Sequence, residues 1–232
     1  MNEKFYIGGK HPVINAIKNS RRIVHEIYVC SNSTNVDFKK KKIVNKNFFK
    51  KIFKNRDFNH QNIAALVSLL NNYDLKEEIK KKKIKNIIIL NGISDPRNIG
   101  SILRSALAFG FEHIVVEKKY YDQKNPIIIK SSSGAIEFLK IIPVSNIKNE
   151  IKILKINNFN IVGIDSNSKN DIQNIDQKNN NALIFGSEGE GIKKSVLEIC
   201  DYTCKININS KIESLNVSNA VAAVLGILKY KK

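Results

Sequence analysis

Residues 86–117 read NIIILNGISDPRNIGSILRSALAFGFEHIVVE: an apolar run, a turn, a helical pattern and a second apolar run. Ile99, Ile102, Leu103, Ala106 and Leu107 recur at helical spacing. Asp95 and Pro96 ahead of them form an N-cap and first-turn pair. The runs at 87–90 and 113–117 are short, unbroken and rich in β-branched residues, as strands buried on both faces are. A strand, a helix of this length and a second strand make a βαβ unit, whose two strands run parallel.

The same alternation continues to the end of the chain. Helices are expected over 127–133, 147–154 and 216–228, and strands over 139–144, 161–165 and 182–185, with 202–208 extended. This predicts an α/β fold on a parallel sheet covered on both faces. Upstream, a turn at Gly8-Gly9 leads into a helix over 11–19, then a strand over 23–29. The stretch 43–53 is ambiguous, and 63–70 fits either a strand or a short helix. Between the halves, NNYDLKEEIKKKKIK (71–85) is polar and charged. It suits a linker, or an exposed helix held by Glu-to-Lys pairs. The predicted division is a small α/β unit at 1–71, a linker at 72–85 and a larger unit at 86–232.

The formal net charge is +18, and it is unevenly placed. Residues 1–85 hold 20 Lys and Arg against 7 Asp and Glu, whereas the remainder holds 19 against 14. A positive field concentrated in one unit points to a polyanion such as RNA. The longest apolar run, 220–228, is far below the roughly 20 residues that span a bilayer, and the N-terminus has no apolar leader pattern. A cytoplasmic protein without a membrane partner is expected. Cys30, Cys200 and Cys204 lack the ligand spacing of a zinc site, so no metal is expected.

Three loops, each after a strand, carry candidate chemistry. Ligands bind at the carboxyl ends of strands in open parallel sheets. In the first loop and its helix, Arg97 and Arg104 share a face with Gly100 and Ser101, small residues that let a ligand approach. Only five of the 39 basic residues are arginine. Two on one helix face suit bidentate phosphate recognition, or a surface ion pair. The second loop, GSEGEG at 186–191, is neither a dinucleotide fingerprint nor a P-loop. Its glycines admit a close ligand, and Glu188 and Glu190 favour one rich in donors or positive charge. The third, IESLNVS at 212–218, sets Ser214, Asn216 and Ser218 at a helix start, where they serve as caps or as site groups.

Together, DPRNIGSILRSA (95–106), LIFGSEGEGI (183–192) and SLNVSNAVA (214–222) resemble, in order, the three motifs of the SpoU/TrmH family of SPOUT methyltransferases. The resemblance covers about 86–232. GKHPVINAI (9–17) and HQNIAALV (60–67) resemble the L30e-like substrate-binding domain of bacterial rRNA members. The resemblance implies a C-terminal trefoil knot that holds S-adenosylmethionine (AdoMet), and a homodimer with active sites near the subunit interface. It implies Arg104 as the catalytic arginine, with Asn98, Glu188, Ser214 and Asn216 completing the polar set. Gly186, Glu188, Gly191, Ile206, Leu215 and Asn216 are the implied cofactor contacts. Two departures stand out. Asn207 occupies the place of a common proline, and Asn62 that of a common glycine.

The implied activity is methyl transfer from AdoMet to a ribose 2′-hydroxyl of RNA, with a guanosine of 23S rRNA as the foremost target. A tRNA substrate, or a non-catalytic rRNA-binding assembly protein, are the alternatives. Target recognition would use surface shape and stacking on aromatics such as Tyr6, Phe38, Phe48, Phe49 and Phe53, of which Phe49 and Phe53 suit the core equally well.

Overall fold

The computed structural model describes residues 3–30, 38–54, 59–81 and 84–231, so Arg56 and Lys82-Lys83 lie outside it. The first sheet has the order β1-β4-β2-β3, from strands β1 (Lys4–Gly8), β2 (Val24–Val29), β3 (Lys41–Ile43) and β4 (Ile63–Ser68). Strand β4 runs antiparallel to both β1 and β2, and β3 runs parallel to β2. Ile63, Ala65 and Val67 face the main core while Ala64 and Leu66 pack on the cluster of Tyr28 and Phe49, so β4 is buried on both faces and its sequence shows no alternation. Strand β1 was not legible as a strand; Gly9, at φ +104, turns it into helix α1 (Lys10–Lys18).

The ambiguous stretch 43–53 resolves into the end of β3 and helix α2 (Lys46–Phe53). The Asn45 side chain caps α2 by accepting from Phe48 N at 3.1 Å. Asn62 adopts φ +58, a left-handed conformation that asparagine tolerates better than most residues. Its replacement of a glycine therefore keeps the turn. The aromatic candidates are largely occupied. Phe49 is buried and stacks on His60 at 4.4 Å, while Tyr6, Tyr28 and Phe48 pack ring against ring. Phe38 packs against the main core.

The second sheet is parallel throughout, in the order β10-β8-β9-β5-β6-β7. Its strands are β5 (Asn86–Leu90), β6 (His113–Glu117), β7 (Lys140–Val144), β8 (Phe159–Ile164), β9 (Asn180–Phe185) and β10 (Tyr202–Cys204). Ile88, Leu90, Ile114, Val116, Leu183 and Phe185 face helices α4 (Pro96–Phe109), α5 (Pro126–Ser131) and α8 (Val217–Tyr230). Ile87, Ile89, Val115, Ile161 and Ile184 face α3 (Leu75–Lys80), α6 (Ile147–Ile156) and α7 (Lys194–Leu197). Successive residues of each strand thus serve opposite cores.

Helix α3 lies inside the stretch read as a linker. Leu75 is its anchor, buried with Ile84, Ile87 and Leu154. Glu78 is buried too, paired with Lys81, Lys140 and His113 at 2.5, 3.1 and 3.3 Å. This stretch closes one face of the parallel sheet rather than hanging in solvent. No described helix is long and apolar enough to cross a membrane.

Candidate active site

Loops leaving β8, β9 and β10 surround a cleft of about 750 Å³ at the carboxyl end of the sheet. Ile164, Phe185, Ile206, Ile208 and Leu215 supply apolar wall, and Asp165, Glu188, Glu190 and Glu213 supply carboxylates. Among the described residues, no Lys, Arg or His lines it. In a chain of net charge +18, a cleft with four acids and no base selects for a cationic ligand with an apolar body.

The glycine loop is shaped by its own backbone before any ligand arrives. Ser187 and Gly191 exchange hydrogen bonds of 3.1 and 2.9 Å, closing 187–191 into a tight turn. A Cβ on Gly186 would lie 2.0 Å from the Gly191 carbonyl carbon, so this glycine is demanded by the tight turn that folds 191–192 back against it. Gly189 faces open space.

Glu188 joins the three loops. Its Oε1 accepts from Asn98 Nδ2 at 3.0 Å, from Val217 N at 3.4 Å and, at very short range, from Asn216 Nδ2. Asn216 Nδ2 also donates to Asn98 Oδ1 at 3.2 Å, while its Oδ1 caps α8 by accepting from Ser218 N at 2.9 Å. Asn216 is therefore a cap and a site residue at once. A second clasp ties the same loops to the strand ends. Gly92 N donates to Glu117 Oε2 at 2.5 Å, Lys193 N donates to Asn91 Oδ1 at 2.9 Å, and Lys193 Nζ lies 3.6 Å from Glu117 Oε1.

Gly186, Glu188, Gly191, Ile206, Ser214 and Leu215 line the cleft. Asn98 and Asn216 reach it through Glu188. Arg104 stands apart, on the exposed ridge of α4 with Arg97, free of any hydrogen bond or ion pair to the described residues. Gly100 corrects the reading of that ridge. It is buried, and a Cβ there would fall 1.9 Å from Ser131 Oγ and 2.9 Å from the Ile128 carbonyl oxygen. It admits α5, not a ligand. Asp165 and Glu213 escaped the sequence reading; for Asp165 the available signal was its place at the end of a strand. Burial raises the thiols, Cys200 to about 11, which leaves both Cys200 and Cys204 poorly nucleophilic.

The profile of the SpoU rRNA Methylase family matches residues 85–226, a span containing all three loops. The chain belongs to the SpoU rRNA methylase family. It is 34% identical over 170 residues to a protein of Staphylococcus aureus designated a TrmH family tRNA/rRNA methyltransferase, covering 72% of this chain and 68% of that one. A Bacillus subtilis protein of the same designation is 31% identical over 238 residues, covering 97% and 94%. Among solved structures, the SpoU methyltransferase AviRb of Streptomyces viridochromogenes in complex with AdoMet superposes with TM-score 0.79 at 20% identity, covering 97% of this chain and 89% of that one. The TrmH/SpoU tRNA modifying enzyme of A. aeolicus gives TM-score 0.58 at 20% identity, covering 68% of this chain and 83% of that one. This SpoU chain thus shares the fold of AviRb over nearly its whole length.

Proposed function

We propose that this SpoU protein transfers the methyl group of AdoMet to a ribose 2′-hydroxyl of RNA, with a guanosine of 23S rRNA as the target. The observation that carries the reading is the acid-lined cleft clasped by Asn98, Glu188 and Asn216. AdoMet bears a sulfonium and an ammonium, which suit Asp165, Glu188, Glu190 and Glu213; its adenosine suits the walls formed by Phe185, Ile206, Ile208 and Leu215. About 750 Å³ is within the range of small-molecule sites. Bound there, AdoMet supplies an electrophilic methyl group. In this reading the loops around the cleft form a trefoil knot, and Asn207 leaves its backbone contacts in place of the usual proline.

A guanidinium is a poor general base, so Arg104 is not the proton acceptor in this reading. Its role here is to grip the RNA phosphate beside the target ribose and align the hydroxyl, while a phosphate oxygen or water takes the proton. Orientation of this kind is worth several kcal/mol. Arg104 lies outside the cleft of its own chain, which supports a homodimer with active sites near the subunit interface. Residues 1–71 are the RNA-binding unit and 86–232 the methyltransferase unit. The rRNA choice over tRNA rests on coverage: the tRNA modifying enzyme matches only 68% of this chain.

Methyl transfer from labelled AdoMet to unmodified rRNA and tRNA, mapped by resistance to alkaline cleavage, tests the proposal. One protected ribose in rRNA is the expected result. A protected site in tRNA alone keeps the reaction and overturns the substrate. No binding of AdoMet overturns the enzyme and leaves a non-catalytic rRNA-binding assembly protein.

A further inference from the structure

Glu137 is a buried carboxylate 51 residues before Glu188 and takes no part in the cleft. Among the described residues, every hydrogen-bond partner of its carboxylate comes from the N-terminal unit. Arg22 Nε and its terminal nitrogen approach Glu137 Oε1 and Oε2 at 2.8–3.1 Å, and a third Arg22 nitrogen donates to the Ser68 carbonyl at 2.6 Å. Asn19 Nδ2 donates to Glu137 Oε2 and to the Glu137 carbonyl, both at 2.8 Å, and Arg21 donates to that carbonyl at 2.8 Å. The Arg22 and Glu137 side chains are 2% and 5% exposed.

The surrounding contacts fix the same relation. Asn15 Nδ2 donates to the Ser133 carbonyl at 3.3 Å, and a Cβ on Gly134 would lie 2.5 Å from it. Gly134 has φ +86, so both its conformation and the approach of α1 exclude a side chain. Gln123 clasps the Leu70 backbone, accepting from its N–H at 2.9 Å and donating to its carbonyl at 2.8 Å. Ile7 and Val13 belong to one continuous core with Ile129 and Ile136. A tethered unit that swings needs none of this. A planar guanidinium held at both edges, in a chain that otherwise uses lysine, specifies one orientation.

We propose that Glu137 is a positioning residue of the methyl-transfer reaction. Through Arg22 and Asn19 it locks the N-terminal unit at one distance from the cleft. RNA held by exposed lysines of that unit, among them Lys46, Lys50 and Lys51, then presents one ribose to the methyl donor. The proposal rests on the reading that residues 1–71 bind RNA. The lock acts as a ruler, so loosening it costs turnover and site choice, not affinity.

The test uses the full chain. Glu137→Gln leaves Arg22 charged and buried, and so risks the fold; the paired variant Arg22→Met/Glu137→Met removes both charges and the directional lock while keeping apolar bulk. For each variant, AdoMet stoichiometry and affinity, rRNA affinity, kcat and the methylated position are measured. The expected result for the paired variant is AdoMet stoichiometry unchanged, both affinities within about twofold, kcat lower by about tenfold and methyl groups on neighbouring riboses. Unchanged kcat and position overturn the proposal, as does a fall in kcat matched by a fall in AdoMet stoichiometry. Lys46→Glu/Lys50→Glu separates the underlying reading. If reversal leaves rRNA affinity intact, residues 1–71 are not the RNA grip and the ruler fails with it. If reversal weakens binding while the paired Met variant behaves as wild type, the ruler alone fails.

Discussion

Glu188 Oε1 accepts a hydrogen bond from Asn98 Nδ2 at 3.0 Å, although 90 residues separate the two. The adjacency of β5 and β9 in the sheet brings their following loops together. The same oxygen holds Asn216 Nδ2 and the first turn of α8, so one carboxylate fixes three loops. Glu188→Gln keeps the shape but exchanges charged acceptance for neutral. Bonds to charged groups contribute about 1.5–3 kcal/mol, which predicts a ten- to roughly hundredfold loss of methyl transfer. Initial rates alongside calorimetric AdoMet binding measure it, and full activity in the variant would remove Glu188 from the machinery.

Arg104 predicts the opposite split between binding and turnover. It lies outside the cleft, so Arg104→Ala should leave AdoMet affinity within about threefold while turnover on RNA falls by a factor on the order of a hundred. Arg104→Lys should rescue little, because an ammonium lacks the planar fork that grips a phosphate. Equal loss of cofactor binding and turnover in Arg104→Ala sinks this assignment.

The parallel sheet was legible because each element is a local pattern: unbroken β-branched runs, a helical stripe from Ile99 to Leu107, and caps at Asp95 and Asn216. The three loops were legible for the same reason. Their joining was not, since nothing near Glu188 in sequence announces Asn98. Gly100 misled because helical angle alone groups it with Arg97 and Arg104, whereas α5 packs on that edge. In 71–85 the charges mask Leu75 and Ile79, which with the paired Glu78 hold α3 to the sheet. The rarity of arginine, which singled out Arg104, applied equally to Arg21 and Arg22. Those two serve docking, where a fixed planar fork has as much value as at a phosphate.

Gly100 and Gly189 make a paired stability test. Alanine at 100 would force Ser131 and the Ile128 carbonyl apart from α4, and overpacking of this kind costs about 1–3 kcal/mol. Adding Ser131→Ala should recover only part, since the carbonyl at 2.9 Å remains. Gly189→Ala meets nothing within 4 Å and should change stability by about 0.5 kcal/mol or less. Urea unfolding of the three variants decides it; a neutral Gly100→Ala would show that α4 and α5 have room to part.

Acid should destabilise the fold in two stages, both traceable to α3. Burial alone would raise the Glu78 carboxyl, but hydrogen bonds from Lys81, Lys140 and His113 outweigh it and hold it at about 2, against an ordinary 4.5. His113 is pushed below its ordinary 6.5 by burial, with Glu78 opposing. Both folded values are depressed, so both contributions are complete above the unfolded values and are lost as pH falls through the folded ones. Stability should therefore decline first below 6.5, as His113 begins to gain a proton more readily in the unfolded chain. It should decline more steeply below 4.5, where the Glu78 contribution, on the order of 3 kcal/mol, is progressively lost. Glu78→Gln should lower stability at neutral pH and flatten the steeper arm, leaving the upper one. Unfolding free energies followed by urea titration from about pH 7 to about pH 3 test the sign and the window together. An acid arm as steep in Glu78→Gln as in wild type would place its origin in other carboxylates.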